Sequence, residues 1–148
     1  MKRTEVIKEL KKYFAVKELV CDHTYAKLGE GAWQVHPTFA LECLLILRRD
    51  VIKKPMVCNT KEHHQRGFRC NLCPIVKEKD EAYLSGHTLG IGWDFTVLGM
   101  TAQEARNRIK EASGKFPHPC RIEGGVKWLH FDCVAQDGVT DNVYEFWV

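Results

Sequence analysis

His87, Asp94 and His130 are the residues of this chain whose types and spacing point most directly to chemistry. They lie in Ser85-Gly-His-Thr-Leu-Gly-Ile-Gly-Trp-Asp94 and Trp128-Leu-His-Phe-Asp132. Two imidazoles and one carboxylate form a three-ligand set for zinc that leaves a fourth position open, the catalytic rather than the structural arrangement. Zinc needs donors at about 2.0–2.2 Å. Residues seven apart on a helix are separated by roughly 10 Å along its axis, and on a straight strand an odd spacing sends them to opposite faces. The chain between His87 and Asp94 must therefore turn, and Gly90 and Gly92 are where a bend costs least. Zinc held this way brings the pKa of a water toward about 7. Amide hydrolysis then needs a carboxylate to move the water's proton and a cation near the carbonyl oxygen or the substrate's carboxylate.

The pattern Ser-x-His-x-x-Gly-x-x-x-Asp, followed by a late aromatic-x-His-x-Asp, resembles the zinc peptidases grouped with D-Ala-D-Ala carboxypeptidases and phage L-alanyl-D-glutamate endopeptidases. Glu18-Leu-Val-Cys21, Gln65-Arg-Gly-Phe-Arg-Cys-Asn-Leu-Cys73, Tyr83-Leu-Ser85 and Arg121-Ile-Glu123 are similar to a small phage or prophage-like branch of that group. The likeness runs from residue 18 to residue 148. It implies a zinc metallopeptidase, a hydrolase acting on peptide bonds of peptidoglycan stem peptides, with His87, Asp94 and His130 as ligands. Two positions depart from the pattern. Trp93 stands where smaller or aliphatic residues are usual, and Lys127 stands three before His130, where several branches carry an acid. Lys127 is the feature that favours the alternative reading, a non-catalytic, metal-stabilised binding or phage assembly protein of the same fold.

With Lys127 in the acid's place, Glu123 and Asp132 compete as general base. Across a hairpin with a four-residue loop (124–127), Glu123 faces Trp128 and lies diagonal to His130, about 7–8 Å away between backbones; a two-residue Gly-Gly turn would pair it with Val126 instead. Asp132 shares a strand face with His130 and serves equally well as a partner that orients the imidazole. Glu123 is the preferred base. Arg69, in a segment that resembles the family's substrate-binding arginine region, has the planar fork that suits a carboxylate or a polarised carbonyl, with Arg66 as the alternative. Ser85 is expected to support the site through a hydrogen bond, since no partner for a serine nucleophile is visible.

Cys70-Asn-Leu-Cys73 and Cys21-Asp-His23 supply four further donors. Cys21, His23, Cys70 and Cys73 together would make a closed structural zinc site. The simpler reading, and the one the sequence favours, is two unrelated pairs of free thiols. A thioredoxin-type redox motif lacks its βαβ context. The helical His-Glu-x-x-His motif is absent, because Glu62-His63-His64 has the wrong order, and the zinc-deaminase pattern fails because the cysteine pair precedes the histidine.

At 148 residues the chain is expected to be one domain. Its 45% apolar and 28% charged residues suit an ordinary globular protein. A formal charge of +3, with scattered basic residues, is too small to imply nucleic acid. No apolar run approaches a membrane span, and the start, Met1-Lys-Arg followed by a charged amphipathic segment, does not read as a secretory signal. An odd seven cysteines argues against a disulfide framework. These features lead us to expect a protein that is cytoplasmic as synthesised and a monomer; the resemblance, not the composition, implies peptidoglycan or a short peptide as partner, reached at the wall only after release.

The elements that must position the site follow from periodicity and turn chemistry. Thr4 caps a first helix with Val6, Ile7, Leu10 and Phe14 on its apolar side. Gly29-Glu-Gly31 marks a loop. Pro37 and Thr38 open a longer, largely buried helix that runs to Lys53, and Pro55–Cys58 reads as a short strand. Residues 59–82 form a polar excursion of a length usually reserved for function. Tyr83–Val97 reads as strand, bend, strand. Thr101-Ala-Gln-Glu104 is a capping box opening a third helix, which Gly114 closes. Cys120–Glu123, Lys127–Val134 and Val143–Val148 read as antiparallel strands. The expected fold is α+β, with N-terminal helices packed on a small, mainly antiparallel sheet that carries the zinc site.

Overall fold

Val6 and Leu10, four residues apart and both fully buried, give α1 (Arg3–Leu10) its single apolar side. All 148 residues are described by the structure, a computed structural model. Short helices α2 (Val16–Leu19) and α3 (Asp22–Leu28) follow. Gly29–Val35 then winds into a 3-10 helix where the glycines led us to expect an open loop. α4 (Thr38–Ile46) buries Ala40, Leu41, Cys43, Leu44 and Leu45, the mark of a helix surrounded by core. It continues as a π-helical turn over Leu47–Ile52 and stops at Lys53, whose φ of 58° is left-handed.

Five strands form one sheet in the order β1-β2-β4-β3-β5. They are β1 (Met56–Val57), β2 (Gly92–Val97), β3 (Cys120–Glu123), β4 (Leu129–Asp132) and β5 (Val143–Phe146). The expected strand before His87 does not form; residues 86–90 are turn. Neighbours are antiparallel except β5, which lies parallel to β3. The reason is placement: β5 runs opposite to β4, which precedes it, but lands beyond β3 at the sheet edge. Helix α5 (Pro74–Lys77) is one turn within the long 59–82 segment. The capping box opens α6 (Ala102–Glu111), with Thr101 Oγ1 accepting the Glu104 N–H at 3.1 Å. That helix ends at Glu111, and Gly114 lies inside a separate 3-10 turn instead of closing it.

Alternation along the strands sorts the sheet into two chemistries. Trp93, Phe95, Ile122, Leu129 and Phe131, all buried, share one face. There α6 packs on β2 and β4, and Phe14 meets Phe95 with ring centroids 5.9 Å apart. These residues belong to one continuous cluster of 30 buried side chains that joins helices and sheet. Asp94, His130, Asp132, Arg121 and Glu123 share the other face, which faces the 59–90 segment. Trp93 is therefore in the core, on the side of β2 away from Asp94. No helix is long and apolar enough to cross a membrane.

Candidate metal centre

His87 rides on a turn laid directly over the polar face of the sheet. The turn closes with Leu89 N–H to Ser85 O at 3.0 Å and Ile91 N–H to Gly86 O at 2.9 Å. Two glycines make the approach possible. A Cβ on Gly86 or on Gly92 would stand 2.9 Å from the Asp132 Cβ. Gly92 thus serves close packing, not the bend. The bend belongs to Gly90, whose φ is +75° and where a Cβ would meet the Val35 carbonyl oxygen. Ser85 Oγ accepts the Thr88 N–H at 3.3 Å, so its hydroxyl helps hold the turn that carries His87.

Asp94 and His130 are cross-strand partners, which brings a second imidazole to the same carboxylate. His87 Nε2 is 3.2 Å from Asp94 Oδ2, and His130 Nδ1 is 2.7 Å from Asp94 Oδ1. Donors at about 2.1 Å around a tetrahedral ion stand about 3.4 Å apart. The first pair is near that spacing, and the second would open by a fraction of an ångström. Each imidazole's remaining nitrogen is fixed. His87 Nδ1 donates to the Gly67 carbonyl at 2.9 Å, and His130 Nε2 donates to Asp132 Oδ2 at 2.7 Å. That arrangement leaves one nitrogen of each ring aimed at the shared point, as metal-binding histidines require. His87, Asp94 and His130 are all buried and their donor atoms lie within 4.8 Å of one another, so the group could hold a metal ion.

The charges around His130 are compensated from both sides. Burial by itself would lower its pKa, but hydrogen bonds and charge from Asp132 and Asp94 outweigh burial and raise it to about 9. Burial works in the opposite sense on Asp94, where His130 and His87 win and hold the carboxyl well below the usual carboxylate range.

Asp132 is fully buried and saturated. Arg121 Nε and Nη2 donate to its two oxygens at 2.9 Å each, and the Val134 N–H adds a third bond at 3.0 Å. A carboxylate so engaged orients His130 and has no lone pair directed at solvent. Glu123 differs. The pairs Arg121↔Asp132 and Ile122↔Phe131 put Glu123 next in register, opposite His130. The expected pairing with Trp128 is thus corrected by two residues. The longer turn is held by Arg106, 4% exposed, whose Nη1 donates to the carbonyls of Glu123, Val126 and Trp128 at 3.3, 3.1 and 3.3 Å.

Arg69 reaches the same point from the 59–82 segment. Its Nη2 lies 3.7 Å from Asp94 Oδ2, its Nη1 donates to the Tyr83 hydroxyl at 3.1 Å, and its Nε donates to the Gln65 carbonyl. Arg66 is more exposed and donates to Thr96 Oγ1 at 2.9 Å. Both arginines line a cleft of about 380 Å³ that reaches Asp94 and is walled by His63 and Trp128. Lys127 is exposed and points away, into a separate depression beside α6.

Three participants escaped the sequence reading: Arg121, Arg106 and Phe146, whose ring stands edge-on to His130 at 5.7 Å and carries the Arg121 guanidinium at 4.4 Å. Arg121 pairs across the strands with Asp132, which the sequence singles out, and its alternation with Glu123 on the same face is the signal that could have found it. The cysteines also gather more than expected. Cys21, His23, Cys70 and Cys73 form one donor group, and Cys43, Cys120 and Cys133 form a second, buried on the helix-covered side. No family model matches the sequence, and neither curated proteins nor solved structures are detectably similar to it.

Proposed function

We propose that the chain is a zinc-dependent peptidase that hydrolyses a peptide bond in peptidoglycan stem peptides, of the D-Ala-D-Ala or L-Ala-D-Glu type. The observation that carries this is the convergence of His87 Nε2, His130 Nδ1 and the Asp94 carboxylate, each imidazole locked by a bond from its other nitrogen, beside a cleft carrying two arginines. Zinc at such a donor set supplies Lewis acidity, polarising a carbonyl and bringing a water's pKa toward about 7. His87, Asp94 and His130 would hold it.

Glu123 takes the proton from the attacking water and delivers it to the departing amine, since it is the carboxylate of this face left uncommitted. Asp132 and Arg121 keep the His130 ring in one tautomer. Arg69 offers its guanidinium to the scissile carbonyl or to a substrate carboxylate, and Arg66 draws anionic peptide into the cleft. The substrate class rests on the resemblance of the His87–Asp94 and Trp128–Asp132 motifs to peptidoglycan peptidases. The test is release of free amines from purified peptidoglycan by zinc-loaded protein. Metal binding with no amine release from peptidoglycan or from D-amino-acid peptides would leave the binding-protein alternative standing.

A further inference from the structure

The 59–82 segment shapes the site while having almost no core of its own. Only Gly67 and Cys73 of its residues are buried. Yet the Gly67 carbonyl orients His87 at 2.9 Å, the Arg66 carbonyl accepts the Asp94 N–H at 2.7 Å, and Arg69 N–H donates to the His87 carbonyl at 3.2 Å. A long loop lacking buried apolar side chains needs another source of order to offset its conformational entropy. Its junction with the N-terminal helices is a short parallel bridge between Val20 and Phe68, with Cys21 N–H to Phe68 O at 3.0 Å and Phe68 N–H to Leu19 O at 2.9 Å. Cys21, His23, Cys70 and Cys73 stand around that junction.

We propose that Cys21, His23, Cys70 and Cys73 hold a structural zinc ion that clips the 59–82 loop to the start of α3 and so keeps the Gly67 carbonyl and Arg69 in place. The consequence for catalysis rests on the hydrolase reading above; the metal site itself does not. The four donor atoms lie within 4.8 Å of one another. Tetrahedral zinc with Zn–S of about 2.3 Å and Zn–N of about 2.0–2.1 Å places sulfur and nitrogen about 3.6 Å apart. His23 Nδ1 is 3.6 Å from Cys70 Sγ and 3.9 Å from Cys73 Sγ. The sulfurs also have the donors that thiolates need: the Leu72 N–H lies 3.4 Å from Cys70 Sγ, and Thr24 Oγ1 lies 3.1 Å from Cys21 Sγ. Four protein ligands leave no open position, so this ion is structural and contributes to folding directly. The spacing reverses the preference for unrelated thiol pairs that the sequence alone suggested.

The full chain purified with zinc is expected to carry two metal equivalents, and Cys73→Ser one. After cobalt substitution, a sulfur-to-cobalt charge-transfer band should appear, persist in His130→Ala and in Cys133→Ser, and vanish in Cys73→Ser. Trypsin should cut Cys73→Ser within 59–82, at Lys61 or Lys77, faster than wild type. If the cysteine variants do not fold, thiol titration of wild type answers the same question, because chelation should make three further thiols reactive. The proposal is overturned if wild type gives no thiolate band, if the band survives Cys73→Ser, or if chelation exposes no thiol. Loss of amine release with the thiolate band intact would count against the hydrolase reading alone.

Discussion

Asp132 holds His130 Nε2 at 2.7 Å and so turns Nδ1 toward Asp94, itself 2.7 Å away. The relay runs from Arg121 through Asp132 to the ring and ends at the point where His87 also arrives. An imidazole fixed at one nitrogen by a buried carboxylate is a ligand prepared in advance.

His130→Ala should therefore remove the zinc equivalent at His87 while sparing any metal held by the cysteines. Elemental analysis of wild type and variant decides this, and identical contents would end the claim for a centre at these three residues.

Glu123 and Asp132 should separate cleanly. Glu123→Gln keeps its zinc and lowers kcat by a factor of about 10²–10⁴, the usual effect of losing a general base. Asp132→Asn weakens metal binding by roughly 10–100-fold, as loss of a ligand's orienting partner does. If instead Glu123→Gln stays near full activity while Asp132→Asn is loaded but inactive, their roles are exchanged.

Packing at the two glycines gives a stability test independent of chemistry. Gly92→Ala brings a Cβ to 2.9 Å from the Asp132 Cβ and 3.0 Å from Gly86. Such overpacking costs about 1–3 kcal/mol and pushes the His87 turn off the sheet. Gly114→Ala, where an added Cβ meets nothing within 4 Å, should be neutral or stabilising by up to about 1 kcal/mol. Urea unfolding of both variants measures the contrast, and equal midpoints would contradict it.

His36 should give the fold an acid-sensitive step. It is fully buried, with Nδ1 donating to the Gly90 carbonyl at 2.7 Å. Burial first, then the charge of Arg3, lowers its pKa from 6.5 to about 4. The unfolded chain takes up a proton below pH 6.5 that the folded chain refuses until about pH 4. Stability present above that window is lost as pH falls through it, on the order of 3 kcal/mol in all. His36→Gln removes the titration, so wild type and variant stabilities should converge or cross between pH 7 and 4. Parallel curves would mean that His36 is not the group responsible.

Much of this was legible in the residues. The capping box at Thr101, the buried helix after Pro37 and the span Cys120–Glu123 follow from local chemistry, and local chemistry decided them. The pairing of Asp94 with His130 was implied by ligand type but not by any local rule. What stayed hidden depended on distant neighbours. The Glu123 register is set by Arg106, a residue on a helix that precedes the hairpin, and the parallel placement of β5 depends on which sheet edge lay open. Gly92 reads as a bend in sequence because only the fold reveals Asp132 behind it. The cysteine groups were hidden for the same reason, since their members lie up to 90 positions apart, as with Cys43 and Cys133.

The position of β5 bears on how the buried donors meet solvent. His130 is 7% exposed, and the ring beside it, Phe146, belongs to a strand hydrogen-bonded on one side only. Edge strands open locally at a fraction of the free energy needed to unfold a core. Fraying of Val143–Phe146 lifts Phe146 from both His130 and Arg121 while β2 and β4, interior to the sheet, stay paired. The donors would then open to solvent on the Phe146 side as well as through the cleft that reaches Asp94, so a metal held by His87, Asp94 and His130 should exchange without global unfolding, at a rate that rises when β5 is destabilised.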